Sequence, residues 1–566
     1  MTLRLTSFAQ GRILRLALTL WLVSMVLVSA KELPTRTGTP KAKPDLSLFS
    51  HSENCMACHN NLIAPSGEDA SIGATWRSTM MANSARDPYW QAGVRRETID
   101  HPTHSAVIQD ECAGCHMPMA TRIARAAGGR GEVFAHLPLQ PSASARQAAA
   151  GHSQTEVRRL AADGVSCSVC HQISKDHLGT RESFNGEFVI EPTPNSGVRP
   201  IFGPYRVDTG RKTIMRSVSG FAQEEAPHIK QSELCATCHT LITTALGPNG
   251  QVVGSLHEQM NYQEWRHSDF VREERSCQSC HMPTVAGPIR MASVLGETRD
   301  SLARHVFVGG NAYMVRLLNR YRHELGVMAL PSELEATANA TVRQLQHDTA
   351  ELTLSTPAHT AGTLAFDVDI RNLTGHKLPT GYPSRRIWLH VTVSNERGER
   401  VFESGAISTS GSIAGNDSDT DARRFEPHYE EINAPDQVQV YESILGDVNG
   451  AVTTGLLSAT QYLKDNRLLP RGFDKTTAPD EIAVFGQAKA DVDFVGGTDR
   501  VRYRIPVTAS GPLTIDVELR YQSIAFRWAQ NLERYDAPEP KRFVSYYAET
   551  AAGSSVVIAS TRVATR

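Results

Sequence analysis

The sequence predicts an α+β protein: a mainly helical and irregular N-terminal domain followed by an antiparallel β-sandwich. Three observations predict it. The chain has 566 residues, enough for two to four domains at roughly 100 to 200 residues each. All ten cysteines fall between Cys55 and Cys280, where Gly and Pro are frequent and apolar periods are short. From about residue 350 apolar residues recur at every second position, the period of a half-buried strand. The expected organisation is a signal segment over 1–30, a flexible leader over 31–49, a cysteine-rich domain over 50–348 and the sandwich over 349–566.

Residues 1–30 carry Arg4, Arg12 and Arg15, then the apolar run LALTLWLVSMVLV, then Val28-Ser29-Ala30. This is the order of a secretory signal. The run is short for a membrane span, which needs about 20 residues. Cleavage removes three positive and no negative charges, taking the net charge from −2 to −5. The leader that follows is rich in Pro and Lys. The expected location is periplasmic or otherwise exported, with no membrane span after signal removal. With 58 basic against 60 acidic residues, nothing favours nucleic acid as a partner.

The cysteines form five copies of one motif: Cys55-Met-Ala-Cys58-His59, Cys112-Ala-Gly-Cys115-His116, Cys167-Ser-Val-Cys170-His171, Cys235-Ala-Thr-Cys238-His239 and Cys277-Gln-Ser-Cys280-His281. Two thiols three positions apart reach the two vinyl groups of one porphyrin, and the adjacent histidine lies under the iron. By composition such a motif arises on the order of 0.01 times in a chain of this length. Disulfides and structural zinc leave the histidine after every second cysteine unexplained, and a thioredoxin-like redox pair would appear once, not five times. The expected cofactor is therefore haem c, five copies covalently attached, with His59, His116, His171, His239 and His281 as proximal iron ligands.

The sixth ligand decides between a wire and an enzyme. A second histidine lowers the potential, a methionine raises it, and an open position admits substrate. Five proximal histidines leave sixteen of 21. His305 stands beside Gly309-Gly310, and His376 stands in the loop Gly375-His-Lys-Leu-Pro-Thr-Gly381 between two strand patterns. Glycines there are expected to let a flat ring approach closely. His228 precedes Cys235, and His101 and His104 precede Cys112; His228 and His104 are further candidate ligands. Met81, in Trp76-Arg-Ser-Thr-Met80-Met81, is a possible thioether ligand, and His428 is a weaker histidine. His390, inside an alternating strand, reads as structural.

Local pattern places the helices and strands. Met314, Leu317, Leu318, Tyr321 and Leu325 predict a helix over 312–328, and Ser332 with Glu335 predicts a second one opened by a capping box. Leu364, Phe366, Val368 and Ile370 alternate. So do Ile387 to Val393, Val501 to Ile505 and Leu513 to Tyr521. Asn395 to Gly398 signals a hairpin and Thr409 to Asp421 a polar loop.

At residues 50–310 the chain resembles the multihaem cytochromes c related to the tetrahaem electron acceptor of hydroxylamine oxidoreductase and to pentahaem nitrite reductase. The resemblance rests on the five motifs, on Cys277 to Pro283 following Glu264-Trp265, and on Trp76-x-Ser ahead of Met81. In the tetrahaem relatives a histidine commonly stands where this chain has Met81. Nitrite reductases of the pentahaem type carry a Cys-x-x-Cys-Lys motif, which is missing here. The His376 loop on a β-domain resembles that of exported multihaem proteins with a C-terminal sandwich. The resemblance implies electron transfer between redox partner proteins. The alternative is an oxidoreductase acting on a small inorganic nitrogen or sulfur compound at one five-coordinate haem, with Arg385 and Arg386 as pocket residues. A haem-bearing sensor or adhesion protein is a third reading.

Overall fold

The computed structural model describes residues 42–139, 152–191, 197–509 and 511–565. The expected signal segment lies outside them. Thr37–Arg566 is one compact unit, so the change of architecture near residue 350 falls inside one body. No helix among the described residues is long and apolar enough to cross a membrane.

The first part is α-helical with short strands. Its longer helices are Pro88–Asp100, Ser105–His116, Pro118–Ala126, His152–Ala162 and Thr209–Ser219. A hairpin, Leu241–Leu246 with Val252–Gln259, was not expected among them. Nor was Pro88–Asp100, because it buries Gln91, Arg96, Glu97 and Thr98 and so shows no apolar period. Asp87 caps it, accepting from the Tyr89 and Trp90 amides at 2.8 and 3.2 Å. The tail of the expected leader is packed: Leu48 and Phe49 are buried against Met119, Leu160 and Val169.

The helix expected over 312–328 forms as Ala312–Arg320 and Arg322–Leu325, broken at Tyr321. The next runs Pro331–His347, one residue earlier than expected. Its box is not Ser332 with Glu335: Glu333 accepts from the Leu330 amide at 2.9 Å. Pro331 at the first helical position fixes that start, since its missing N–H needs no partner there.

The second part is a sandwich of two sheets, as expected. One has the order 452–453, 440–447, 386–394, 514–522, 555–564, with 400–404 added on 386–394 and 459–465 on 440–447. The other has the order 431–432, 498–506, 363–372, 350–354, with 358–360 added on 363–372. Pairing is antiparallel except between 431–432 and 498–506. The alternating residues point inward as one core, including Phe366, Val368, Leu389, Val391, Tyr503, Val517 and Leu519. Each such side chain stabilises the fold by about 1.5–3 kcal/mol on burial. Phe366 stacks on Tyr503 with ring centroids 5.0 Å apart. The Asn395 to Gly398 hairpin joins 386–394 to 400–404, with Gly398 at φ +75°.

The polar 409–421 loop contains a helical turn, Asp417–Thr420, and its Asp419 is buried. Arg386 reaches it in a bidentate pair at 2.9 and 2.9 Å. That removes Arg386 as a pocket residue. The two parts meet along Pro88–Asp100: Arg96 donates to the Thr454 carbonyl at 2.8 Å, Glu97 accepts from the Leu456 amide at 2.9 Å, and Arg95 pairs with Glu539 at 2.7 Å.

Candidate functional site

Every Cys-x-x-Cys pair begins on a turn of helix. The segments are Ser52–Met56, Ser105–His116, Cys167–Cys170, Ser232–Ala236 and Cys277–His281. Residues three apart on a helix are neighbours, so both thiols of a pair leave the same face. All ten thiols are free and half-buried.

The motifs are tied to one another. Asp163 accepts from Ser52 Oγ at 2.7 Å and from Ser166 Oγ at 2.8 Å, joining the first motif to the third. Gly186 donates to the Thr237 carbonyl at 2.7 Å, and a Cβ on it would lie 3.0 Å from Cys115 Sγ, so its bare backbone fits between the second and fourth motifs. Ser232 Oγ accepts from the Cys277 amide at 3.1 Å, joining the fourth to the fifth. Leu234 and Cys238 pack on the apolar cluster that contains Val169 of the third motif. The five motifs form one connected set.

Four of the five motif histidines turn one ring nitrogen to a backbone carbonyl. Nδ1 lies 2.8 Å from the Met291 carbonyl in His59, 3.1 Å from that of Ser84 in His116, 2.6 Å from that of Phe202 in His171 and 2.5 Å from that of Val308 in His281. A proton kept on Nδ1 leaves the Nε2 lone pair for a metal. Burial pushes His116 and His239 down to about 4 and His171 below its ordinary range, so these imidazoles stay neutral. Trp90 lies flat on His116, with centroids 4.4 Å apart and planes at 5°.

Two motif histidines face a second imidazole. His171 faces His305 with ring centroids 6.4 Å apart and planes at 20°. His281 faces His376 at 6.3 Å and 12°. Two imidazoles on opposite sides of one metal ion, each with a bond of about 2.0 Å, have centroids about 6 Å apart. Direct stacking would bring them much closer. His305 and His376 also turn Nδ1 to backbone carbonyls, those of Ala303 at 3.0 Å and Lys377 at 2.9 Å, and burial pushes both down to about 4. The donor set thus fits two iron centres of the His/His type.

The other singled-out residues stand differently. His228 is buried and commits Nε2 to the Ile173 carbonyl at 2.8 Å. His104 contacts Thr103 Oγ1 at 3.0 Å through Nδ1 and packs on Gly250 of the hairpin turn. The Met81 carbonyl accepts from Val165 at 3.0 Å, just ahead of the third motif. His428 is consumed inside the sandwich. Its Nε2 meets Asp491 at 3.0 Å, and its Nδ1 meets the Gln439 and Asn466 amides at 2.9 and 3.1 Å. His390 lies between Glu403 and Glu518, as a structural residue. Among the described residues no imidazole faces His59, His116 or His239 in the manner of the two pairs.

Two of the flanking glycines also lie where the two parts of the protein meet. A Cβ on Gly310 would strike Tyr521 Oη at 2.5 Å, and one on Gly375 would meet the Phe270 ring at 3.0 Å. They allow the two parts of the protein to approach. The carbonyls that orient the histidines, and Trp90, leave no mark in the sequence.

No family model matches the chain, and no curated protein matches it. Among solved structures, a penta-heme cytochrome c552 from Thermochromatium tepidum is similar at 16% identity and a TM-score of 0.47, over 92% of this chain and 100% of that one.

Proposed function

We propose that this chain is an exported pentahaem c-type cytochrome that passes single electrons between redox partner proteins. The observation that carries the reading is the pair of facing imidazole couples, His171 with His305 and His281 with His376, each joining a motif histidine to a distant one. Bound haem supplies reversible one-electron iron chemistry. The chain's own residues do the rest. Paired cysteines would anchor each porphyrin, Nδ1–H bonds to carbonyls fix the imidazoles, and both couples would hold an iron between two histidines and so exclude small molecules from it. The ties between motifs keep neighbouring sites close. After signal removal the net charge of −5 favours partners with basic patches.

The test is ligand replacement. His305→Ala and His376→Ala each convert one low-spin centre to a high-spin centre that binds carbon monoxide. Unchanged spectra in both variants contradict the reading.

A second reading, an oxidoreductase acting on a small nitrogen or sulfur compound, rests on His239. No imidazole faces it among the described residues, and the charge of Arg385 reaches it. Arg385 donates to the Thr380 carbonyl at 2.7 Å. Cyanide binding to the unaltered oxidised protein supports this reading, and a protein inert to cyanide and nitric oxide removes it.

A further inference from the structure

We infer that Glu264 is a positioning residue that holds the His376 loop of the sandwich opposite His281. The inference rests on the proposed ligation by His376 and adds what sets it. Glu264 lies in the helix Asn261–Arg266 and is 0% exposed. Its Oε2 accepts from the Lys377 amide at 3.1 Å and from Thr380 Oγ1 at 2.6 Å, the residue after His376 and one four beyond it. Its Oε1 lies 3.0 Å from Arg467 Nη1. Arg467 clasps Asp465 at 2.8 and 2.8 Å, and Lys377 Nζ reaches the same carboxylate at 2.6 Å and the Ala483 carbonyl at 3.0 Å.

Two anions and two cations thus balance in a site shut from water. A buried charge is tolerated only with such partners. Glu264 is the one member of the four contributed by the helical part. It bonds both to the loop and to the charges beneath it. The other hydrogen bonds on the loop come from its own side: Asn372 Nδ2 and Thr374 Oγ1 each donate to the His376 carbonyl at 2.9 Å. Phe270 touches the loop at Gly375 by packing alone, so Glu264 supplies the polar tie between the His376 loop and the helical part.

Removing it has two separable consequences. Glu264→Gln keeps a carbonyl for Lys377 and Thr380 but leaves one positive charge uncompensated beside the site. Glu264→Ala removes the tether as well. The experiment uses the full-length holoprotein and its Glu264→Gln, Glu264→Ala and His376→Ala variants. Near-infrared magnetic circular dichroism counts His/His centres, and a redox titration gives their potentials. His376→Ala loses one His/His signal. Glu264→Ala loses part of that same signal. Glu264→Gln retains it and raises the midpoint potential of that centre alone. If His376→Ala loses the signal while Glu264→Ala leaves it whole, the inference on Glu264 falls and the ligation stands. If His376→Ala loses nothing, the ligation itself falls. Should Glu264→Ala fail to fold, Glu264→Gln decides: an unchanged potential overturns the inference.

Discussion

The two parts of this protein are stabilised in opposite ways. In the sandwich, strands 363–372, 498–506 and 514–522 turn alternate apolar residues into one large core, which also takes in Ile242 and Met260 from the helical part. The helical part shares a second large cluster with the C-terminal part, has smaller ones of its own, and relies on short polar ties such as Asp163, Gly186 and Ser232. Among its described histidines, His59, His116, His171, His281 and His305 turn Nδ1 to a backbone carbonyl. On the proposed reading these imidazoles would take a group that is not polypeptide. The difference teaches that periodicity reveals a core made of side chains, whereas only motif spacing points to a cofactor.

The contrast can be broken most severely at the thioether positions. Cys167→Ala with Cys170→Ala is expected to remove one haem and the apolar body around which its neighbours pack. The helical part should lose protection in hydrogen exchange while strands 363–372 and 514–522 keep theirs. Equal loss in both parts would show that the sandwich also depends on the cofactor. Next in size is the buried pair of the sandwich. Asp419→Asn strands Arg386 and should cost about 3–5 kcal/mol in denaturant unfolding, without altering the visible spectrum. Val517→Ala, a cavity in the main core, should cost about 1–3 kcal/mol with the same spectral silence.

A smaller effect concerns pH. Burial raises Glu258 from 4.5 to about 7. A raised carboxyl is protonated in the fold at pH values where the unfolded chain has lost its proton. Its stabilisation is complete below about 4.5 and is lost as pH rises through 7. Glu258→Gln should therefore gain stability relative to the parent between pH 5 and 8, by at most roughly 3 kcal/mol. A gap that stays constant with pH would contradict the shift. The smallest effect is Trp90→Ala, which removes the ring lying on His116 and should cost about 1 kcal/mol while shifting one centre's spectrum slightly.

Much of this was legible in the residues. The strands from 363 onward follow directly from Leu364 to Ile370 and Leu513 to Tyr521, because alternation and an inward face are the same fact. Helix Pro88–Asp100 was hidden, because its buried face includes Gln91, Arg96 and Glu97, and the partners of the last two, Thr454 and Leu456, lie over 350 residues away. The capping of Pro331–His347 was misplaced because Ser332 and Glu335 copy the motif that Pro331 and Glu333 pre-empt. Phe270 against Gly375 and Tyr521 against Gly310 could not be read from the sequence, because both contacts join distant parts of the chain. Glu264 could be seen in the sequence beside Trp265, yet nothing there links it to Lys377 and Arg467. Such a network exists only once the two parts meet.

The most direct measurement is the intact mass of the denatured, exported protein. Five covalently added haem masses on a chain that has lost its first thirty or so residues is the expected result. A mass equal to the bare polypeptide, with all colour lost to acid extraction, would contradict the account at its root.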